Sequence, residues 1–397
     1  FSCLRLYTQY NLPGNRKAVT FAENPKIIDC MNILILNSIL YTAQHNIIPQ
    51  VDSIKDCMIY NFALGFTAQG HDVTLVAASE YQPMQPETYD FRVIFVPSAL
   101  KRLFPPAILP FQPQLFRFLR NNGKKYDLIV TSEVFAFPSL LAALLCPRRT
   151  VVWQELTVHQ QKFHSIPSRI WHHTVARWLI SRVRRVIPRS DDAYRFISRY
   201  MSNVSEEIVD HGIAVEKFRT SETKRRQFIC VAQLIPRKNV GSIIDRFHKL
   251  VLTAGYEDFR LYIAGRGELE DELKRQMQKQ GLAERVVFLG FLKHESLAVY
   301  VRESYALLVN TRQDLNMVSI PEAIVSGTPV VTNRVPASAR YIHDHRLGIA
   351  RTEWNETDLK EIIDHNAFYV QNCIAYRQKL SNTYLAGKMI EISKNQV

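Results

Sequence analysis

Short apolar runs, nearly free of charge, alternate with longer helix-forming stretches along most of this 397-residue chain, and that rhythm limits the fold more than any other feature. A run that is apolar throughout has no face for water. It suits a strand buried on both sides, in a parallel sheet covered by crossover helices. Met31-Asn-Ile-Leu-Ile-Leu-Asn37 is the first such run, followed by Val73–Ala77, Phe91–Val96, Tyr126–Thr131, Val151–Trp153 and Val186-Ile187. A helix is expected from about Ser53 to Gln69, with Gly70 placed to end it.

The rhythm restarts after the polar stretch Phe218–Arg226. Strands are expected at Phe228–Ala232, Phe259–Ala264, Val286–Leu289, Ala306–Val309 and Pro329–Thr332. Helices are expected over Val240–Leu252, over Glu268–Gly281, and from near Ser319. Two doubly wound α/β domains result, residues 31–215 and 216–367, with a helical segment over 368–397. Residues 1–30 carry no period and form either an upstream extension to a natural start at Met31 or a natural tail. Ligands of such folds sit beyond the carboxyl ends of the strands, so two facing domains make a cleft.

Hydrophobic residues are 47% and charged residues 22%, which excludes a disordered chain. Fifty Lys and Arg against 37 Asp and Glu give a net charge of +13, favouring an anionic partner. Six scattered cysteines without a C-x-x-C pair speak against a disulfide framework or zinc knuckle, and for a reducing cytosol. The longest apolar stretches fall short of the ~20 residues that span a bilayer. His172-His173 and His343-Asp-His345 could suggest metal. Neighbouring residues on a helix point about 100° apart, so adjacent histidines cannot readily chelate together and no metal is expected.

Two basic stretches interleave with apolar residues. Lys101, Arg102, Phe104, Arg117 and Arg120 belong to the first, and Trp171, Arg177 and Trp178 to the second. They suit an anionic membrane surface, arginines meeting lipid phosphates while aromatics enter the headgroup layer. No helix-turn-helix, zinc-finger or aromatic RNA-binding signature accompanies them, so nucleic acid is not the expected partner.

Sharper chemistry lies in the second half. Lys238 follows a strand and opens a helix, where a cation and backbone N–H groups together suit a phosphate. Gly265-Arg-Gly267 makes a tight strand-to-helix turn, but Glu270 stands where a dinucleotide fingerprint needs its third glycine. Asp314 and Glu322 stand eight positions apart, the first in a loop and the second in the helix near Ser319. There one carboxylate could grip ribose hydroxyls and the other approach a sugar.

The segment Asp314 to Val331 resembles the E-x7-E region of the retaining glycosyltransferases of family 4, which adopt the GT-B fold. Asp314 matches the first acid, Glu322-Ala323 the second and Gly327-Thr-Pro-Val-Val331 the following strand. Lys238 matches the family's Gly-Arg-Leu-x-x-x-Lys-Gly lysine and Phe288-Leu-Gly290 its Phe-Leu-Gly strand. Gly70-His-Asp-Val73 and His211-Gly-Ile213 match its Gly-His-x-Val and its interdomain joint. In departures, Asp314 is a methylene shorter than the usual Glu, Gln233 replaces a phosphate-binding Arg, and Leu315-Asn-Met317 replaces a glycine-rich run.

The resemblance implies a GT-B glycosyltransferase that moves a sugar, with retention, from a UDP- or GDP-sugar to a lipid-linked or oligosaccharide acceptor in surface polysaccharide synthesis. It implies donor contacts at Gln233, Lys238, Gly265, Gly267, Met317, Val318, Ser319 and Glu322, with no cofactor. Asp314 would hold donor hydroxyls, and Glu155 or His159 the sugar at the end of an N-domain strand. The protein would then work in the cytoplasm or on the inner face of the plasma membrane. A non-catalytic membrane-associated partner subunit of the same fold and a GT-B-type sugar-nucleotide epimerase are the alternatives left open.

Overall fold

The computed structural model describes residues 30–41, 48, 50–313 and 317–395; the expected extension up to residue 29 and Asp314 lie outside these. The first half forms strands β1 (Asn32–Leu36), β2 (Asp72–Ala78), β3 (Arg92–Val96), β4 (Leu128–Ser132), β5 (Thr150–Gln154) and β6 (Arg185–Pro188). The second half forms β7 (Gln227–Val231), β8 (Arg260–Ala264), β9 (Val286–Gly290), β10 (Ala306–Leu308), β11 (Val330–Thr332) and β12 (Gly348–Ala350). The two sheets run β3-β2-β1-β4-β5-β6 and β12-β11-β10-β7-β8-β9. Every pairing within them is parallel. Counted from its own first strand, each sheet therefore has the order 3-2-1-4-5-6. This is the GT-B architecture of two doubly wound domains.

Strand order reverses between β1 and β4 in one domain and between β7 and β10 in the other. At such a switch point the flanking connections leave to opposite faces and open a crevice. β12 has no counterpart in the expected strands. Its three residues pair with β11 at the sheet edge, too short a run for any alternation to show.

Alternating side chains of β1 feed two cores. Ile33 and Ile35 pack with Phe62, Phe66 and Trp153 on one face, and Leu34 and Leu36 with Leu115, Leu119 and Ile129 on the other. The first core is completed from the far end of the chain. The expected helical segment over 368–397 divides into a helix Asn366–Tyr376 on the second domain and a helix Asn382–Lys394 that lies on the first. Leu385, Ala386, Met389 and Ile390 of the latter join the core around Ile59 and Phe62. Gly65 of helix Met58–Thr67 allows the close crossing, because a Cβ there would collide with the Asn382 backbone.

The chain thus passes between the domains twice, side by side. Ile213 N–H donates to the Leu380 carbonyl at 2.8 Å and Asn382 N–H to the Ile213 carbonyl at 3.1 Å. These paired crossings form the floor of the cleft.

Candidate active site in the interdomain cleft

On the second domain, two turns meet at the β7/β10 switch point. The turn Pro236–Lys238 follows β7, and the loop after β10 is tied to it. Arg312 N–H donates to the Arg237 carbonyl at 2.7 Å, and the Thr311 hydroxyl to the same oxygen at 3.0 Å. Half-buried Lys238 is thereby set beside the segment that leads to residue 314. Gly265 and Gly267 lie behind this turn, where a Cβ on either would meet the carbonyl of Ala232 or Leu234. Their need for glycine comes from packing of one loop on another. Gln233 is exposed on the same turn.

Helix Ser319–Val325 carries Glu322 in its first turn. Its carboxyl faces a cavity of about 570 Å³ between the domains, walled also by Met317, Val318, Pro321, Tyr341 and, from the first domain, Met58 and Asn61. Ser319 starts the helix but does not line the cavity. Among the described residues no cation pairs with Glu322. Burial alone pushes its carboxyl up to about 7. A carboxylate buried without a counter-charge gives no obvious stability, and such groups concentrate where ligands bind.

The first domain answers with a second cavity of about 580 Å³ over the β1/β4 switch point. Met58 and His211 line both cavities, so the two adjoin. Glu155, just after β5, forms an ion pair with Arg189 (Nη1 to Oε2, 2.6 Å). Arg189 is 5% exposed, lies 4.2 Å above the Trp153 ring and reaches the His211 ring, with Nη2 2.7 Å from Nε2. Glu133, at φ 66° after β4, accepts from the Glu155 N–H at 2.8 Å and the Leu156 N–H at 3.3 Å. Burial first, and then the nearby Glu155 carboxylate, push Glu133 up to about 7.

His159 lies in neither cavity wall. Its ring packs edge-on to Phe196 and His172 and hydrogen-bonds Tyr200 Oη at 3.0 Å and Ser168 Oγ at 3.3 Å. That setting is a packed aromatic cluster outside the walls of these two cavities.

Residues 58–220 match the family model Glycosyltransferase Family 4, and residues 214–365 match Glycosyl transferases group 1. The two models together run through both domains and the joint. The chain belongs to glycosyltransferase family 4. This glycosyltransferase is 21% identical over 326 residues to the alpha-monoglucosyldiacylglycerol synthase of Streptococcus pneumoniae, covering 76% of this chain and 72% of that protein. It is 24% identical over 222 residues to the lipopolysaccharide core biosynthesis mannosyltransferase LpsB of Rhizobium meliloti, covering 51% and 59%. Its fold matches Anabaena HepE, solved in complex with UDP, at TM-score 0.60 and 15% identity over 91% of this chain and 99% of that one. It also matches the lipopolysaccharide outer core galactosyltransferase WaaB at 0.61 and 13%, with the same coverage.

The residues of the enzyme's two basic stretches do not share one surface. Lys101 pairs with Glu80 at 2.8 Å and Arg102 is exposed, both on the loop after β3 and so at the cleft edge of the sheet. Arg117 and Arg120 are exposed on helix Gln114–Asn122, which runs back toward the start of β4, away from that edge. The aromatics divide too. Phe104 packs on Phe111 and Phe137, and Trp171 on Phe135 and Phe137 with its Nε1 donating to the Val134 carbonyl at 2.9 Å. Both rings are half-buried among other aromatics. Trp178, by contrast, is 68% exposed and Arg177 stands beside it.

Sequence reading missed Glu133, gave Arg189 only as part of a basic run and His211 only as part of the joint. A signal was present for each of the first two: both are the first charged residues after the ends of buried strands, β4 and β6. No helix among the described residues is long and apolar enough to cross a membrane.

Proposed function

We propose that this enzyme moves a hexosyl group from a UDP- or GDP-sugar, with retention of configuration, to a lipid-linked acceptor at an anionic membrane, as a step in glycolipid or surface polysaccharide assembly. The observation that carries the reading is the buried, uncompensated Glu322 facing a cavity that adjoins a second, charged cavity across the cleft. In this reading Glu322 accepts hydrogen bonds from the ribose and Asp314 from the donor sugar. Lys238 faces the diphosphate. The Anabaena relative bound to UDP and the pneumococcal synthase of a glucosyl lipid are in keeping with these two substrates.

The bond from the sugar's anomeric carbon to the diphosphate oxygen breaks, its electron pair leaving with the diphosphate. The acceptor oxygen attacks from the same face, and its proton passes to the departing diphosphate. Negative charge grows on the leaving group, so a fixed cation at Lys238 in a water-poor cleft lowers the barrier. The Glu155–Arg189–His211 cluster presents donors and acceptors to the acceptor's polar head, and its work is positioning. The reaction needs no metal in this reading, and EDTA leaves the rate unchanged.

The test is nucleotide release from a panel of UDP- and GDP-sugars, with and without anionic liposomes carrying lipid extract. Release from one donor that falls at least a hundredfold in Glu322→Ala is expected. Release indifferent to that substitution would overturn the site. Conversion of the donor sugar without nucleotide release would favour an epimerase.

A further inference from the structure

Beside the charged N-domain cavity lies a smaller one of about 200 Å³, walled by Leu103, Phe104, Ile108, Leu109, Phe135 and Pro167. It is formed by three segments at the cleft edge of the sheet, the loops after β3 and β4 and the segment after β5. Ile108, Leu109, Phe135 and Gln160 also line the charged cavity, so the two share a wall. An apolar space of this kind gives water too few hydrogen bonds and suits an apolar guest.

Its outer side is unusual as well. Leu103 is 68% exposed, and Ile166 and Ile170, which flank Pro167 on the adjoining helix, are 56% and 59% exposed. Trp178 is exposed further along, beyond the exposed Thr174 and the π-helical turn His172–Ala176, and the exposed Arg169 and Arg177 precede Ile170 and Trp178. A bare apolar strip rimmed by arginines thus borders an apolar slot, and the slot borders a charged cavity. An amphiphile has that same order: anionic surface, hydrocarbon, polar head.

We infer that this slot holds the head-proximal part of the hydrocarbon chain of a lipid-anchored acceptor, drawn from the membrane while the polar head enters the Glu155–Arg189 cavity. The inference rests on the reading that the acceptor is lipid-linked. It adds a specific subsite: the slot measures the chain next to the head, whereas the exposed Ile166, Ile170 and Trp178 meet the membrane.

A series of n-alkyl β-glucosides, kept below their micelle concentrations, tests it by calorimetry on the full chain. Burying a methylene strengthens binding about fourfold. Affinity is therefore expected to rise two- to fourfold per methylene and then level off when the slot is full. Ile108→Phe, which fills the slot, and Leu109→Asn, which wets it, should both flatten the series while leaving UDP binding and the melting temperature unchanged. Trp178→Ser should leave the series intact but weaken sedimentation with phosphatidylglycerol vesicles. A series that is flat in the unaltered protein, or that stays steep in both slot variants, overturns the subsite. If the vesicles still bind, only the subsite falls; if they also fail to bind, the lipid-linked reading falls with it.

Discussion

Glu322 shows how a single side chain trades stability for a site. Its carboxyl titrates near 7 in the folded protein against an ordinary 4.5, because burial penalises the charge. Between about pH 4.5 and 7 the unfolded chain has lost this proton while the folded protein keeps it. Stability therefore falls as the pH rises through that window and stays lower above it. Glu322→Gln removes the penalty, so the variant should melt a few degrees above the unaltered protein at pH 8 and together with it at pH 4.5, as calorimetry would show. The same variant should lose the part of UDP binding that tightens between pH 6 and 8, since an amide has no proton to give up. Arg189 works in the opposite sense, because it compensates rather than exposes charge. Arg189→Met would leave Glu155 and Glu133 facing each other and strip the cation from Trp153, at a cost of about 2 kcal/mol in urea unfolding at pH 8. That cost should shrink toward pH 5 as Glu133, whose carboxyl is pushed up to about 7, takes up its proton.

At the scale of elements, the C-terminal helix decides the stability of the N-terminal domain. Helix Asn382–Lys394 covers Ile59, Phe62 and Phe66, and Gly65 sets the distance of approach. Gly65→Val should cost 3 kcal/mol or more, since the side chain meets backbone that cannot move without lifting the helix. Gly70→Ala makes the control. No atom lies near its Cβ position, but its φ of 85° is left-handed, so about 1 kcal/mol is expected from backbone strain alone. Equal losses in the two variants, measured by urea titration, would sink the close-crossing account. Ending the chain at Ser381 should expose the same apolar surface and leave the N-terminal domain insoluble.

Over the whole molecule, the two domains meet through the paired crossings at Ile213 and Asn382 and through sparse contacts across the cleft. Arg340 of the second domain reaches Asp191 of the first at 2.5 Å, but both side chains are exposed and such a pair adds little. The arrangement suits a hinge, and UDP binding should contract the particle in small-angle scattering. The charge of +13 acts on the same scale. Binding to phosphatidylglycerol vesicles should weaken at least tenfold between 0.05 and 0.5 M NaCl, while neutral phosphatidylcholine vesicles show no such dependence. Salt-independent binding would assign the contact to Trp178 and its apolar neighbours alone.

Most of the architecture was legible in the chain itself. Strands buried on both faces must be apolar throughout, so eleven of them announced themselves as uninterrupted runs, and their repeated alternation with helices implied two doubly wound sheets. β12 escaped because an edge strand of three residues carries no pattern. Lys238 and Glu322 were readable because each stands in a motif resembling one of family 4, the first in the turn after β7 and the second in the helix after β10, where strand ends in this fold mark the crevice. What remained hidden depends on residues far apart in sequence. Glu155 meets Arg189 and His211 only because β5, β6 and the interdomain joint converge, and His159 and Trp171 turned inward because aromatic partners from other segments surround them. The alternation of local pattern determined the fold; the placing of charge across the cleft, the apolar slot and the return of the last helix were decided by long-range packing, which no local pattern encodes.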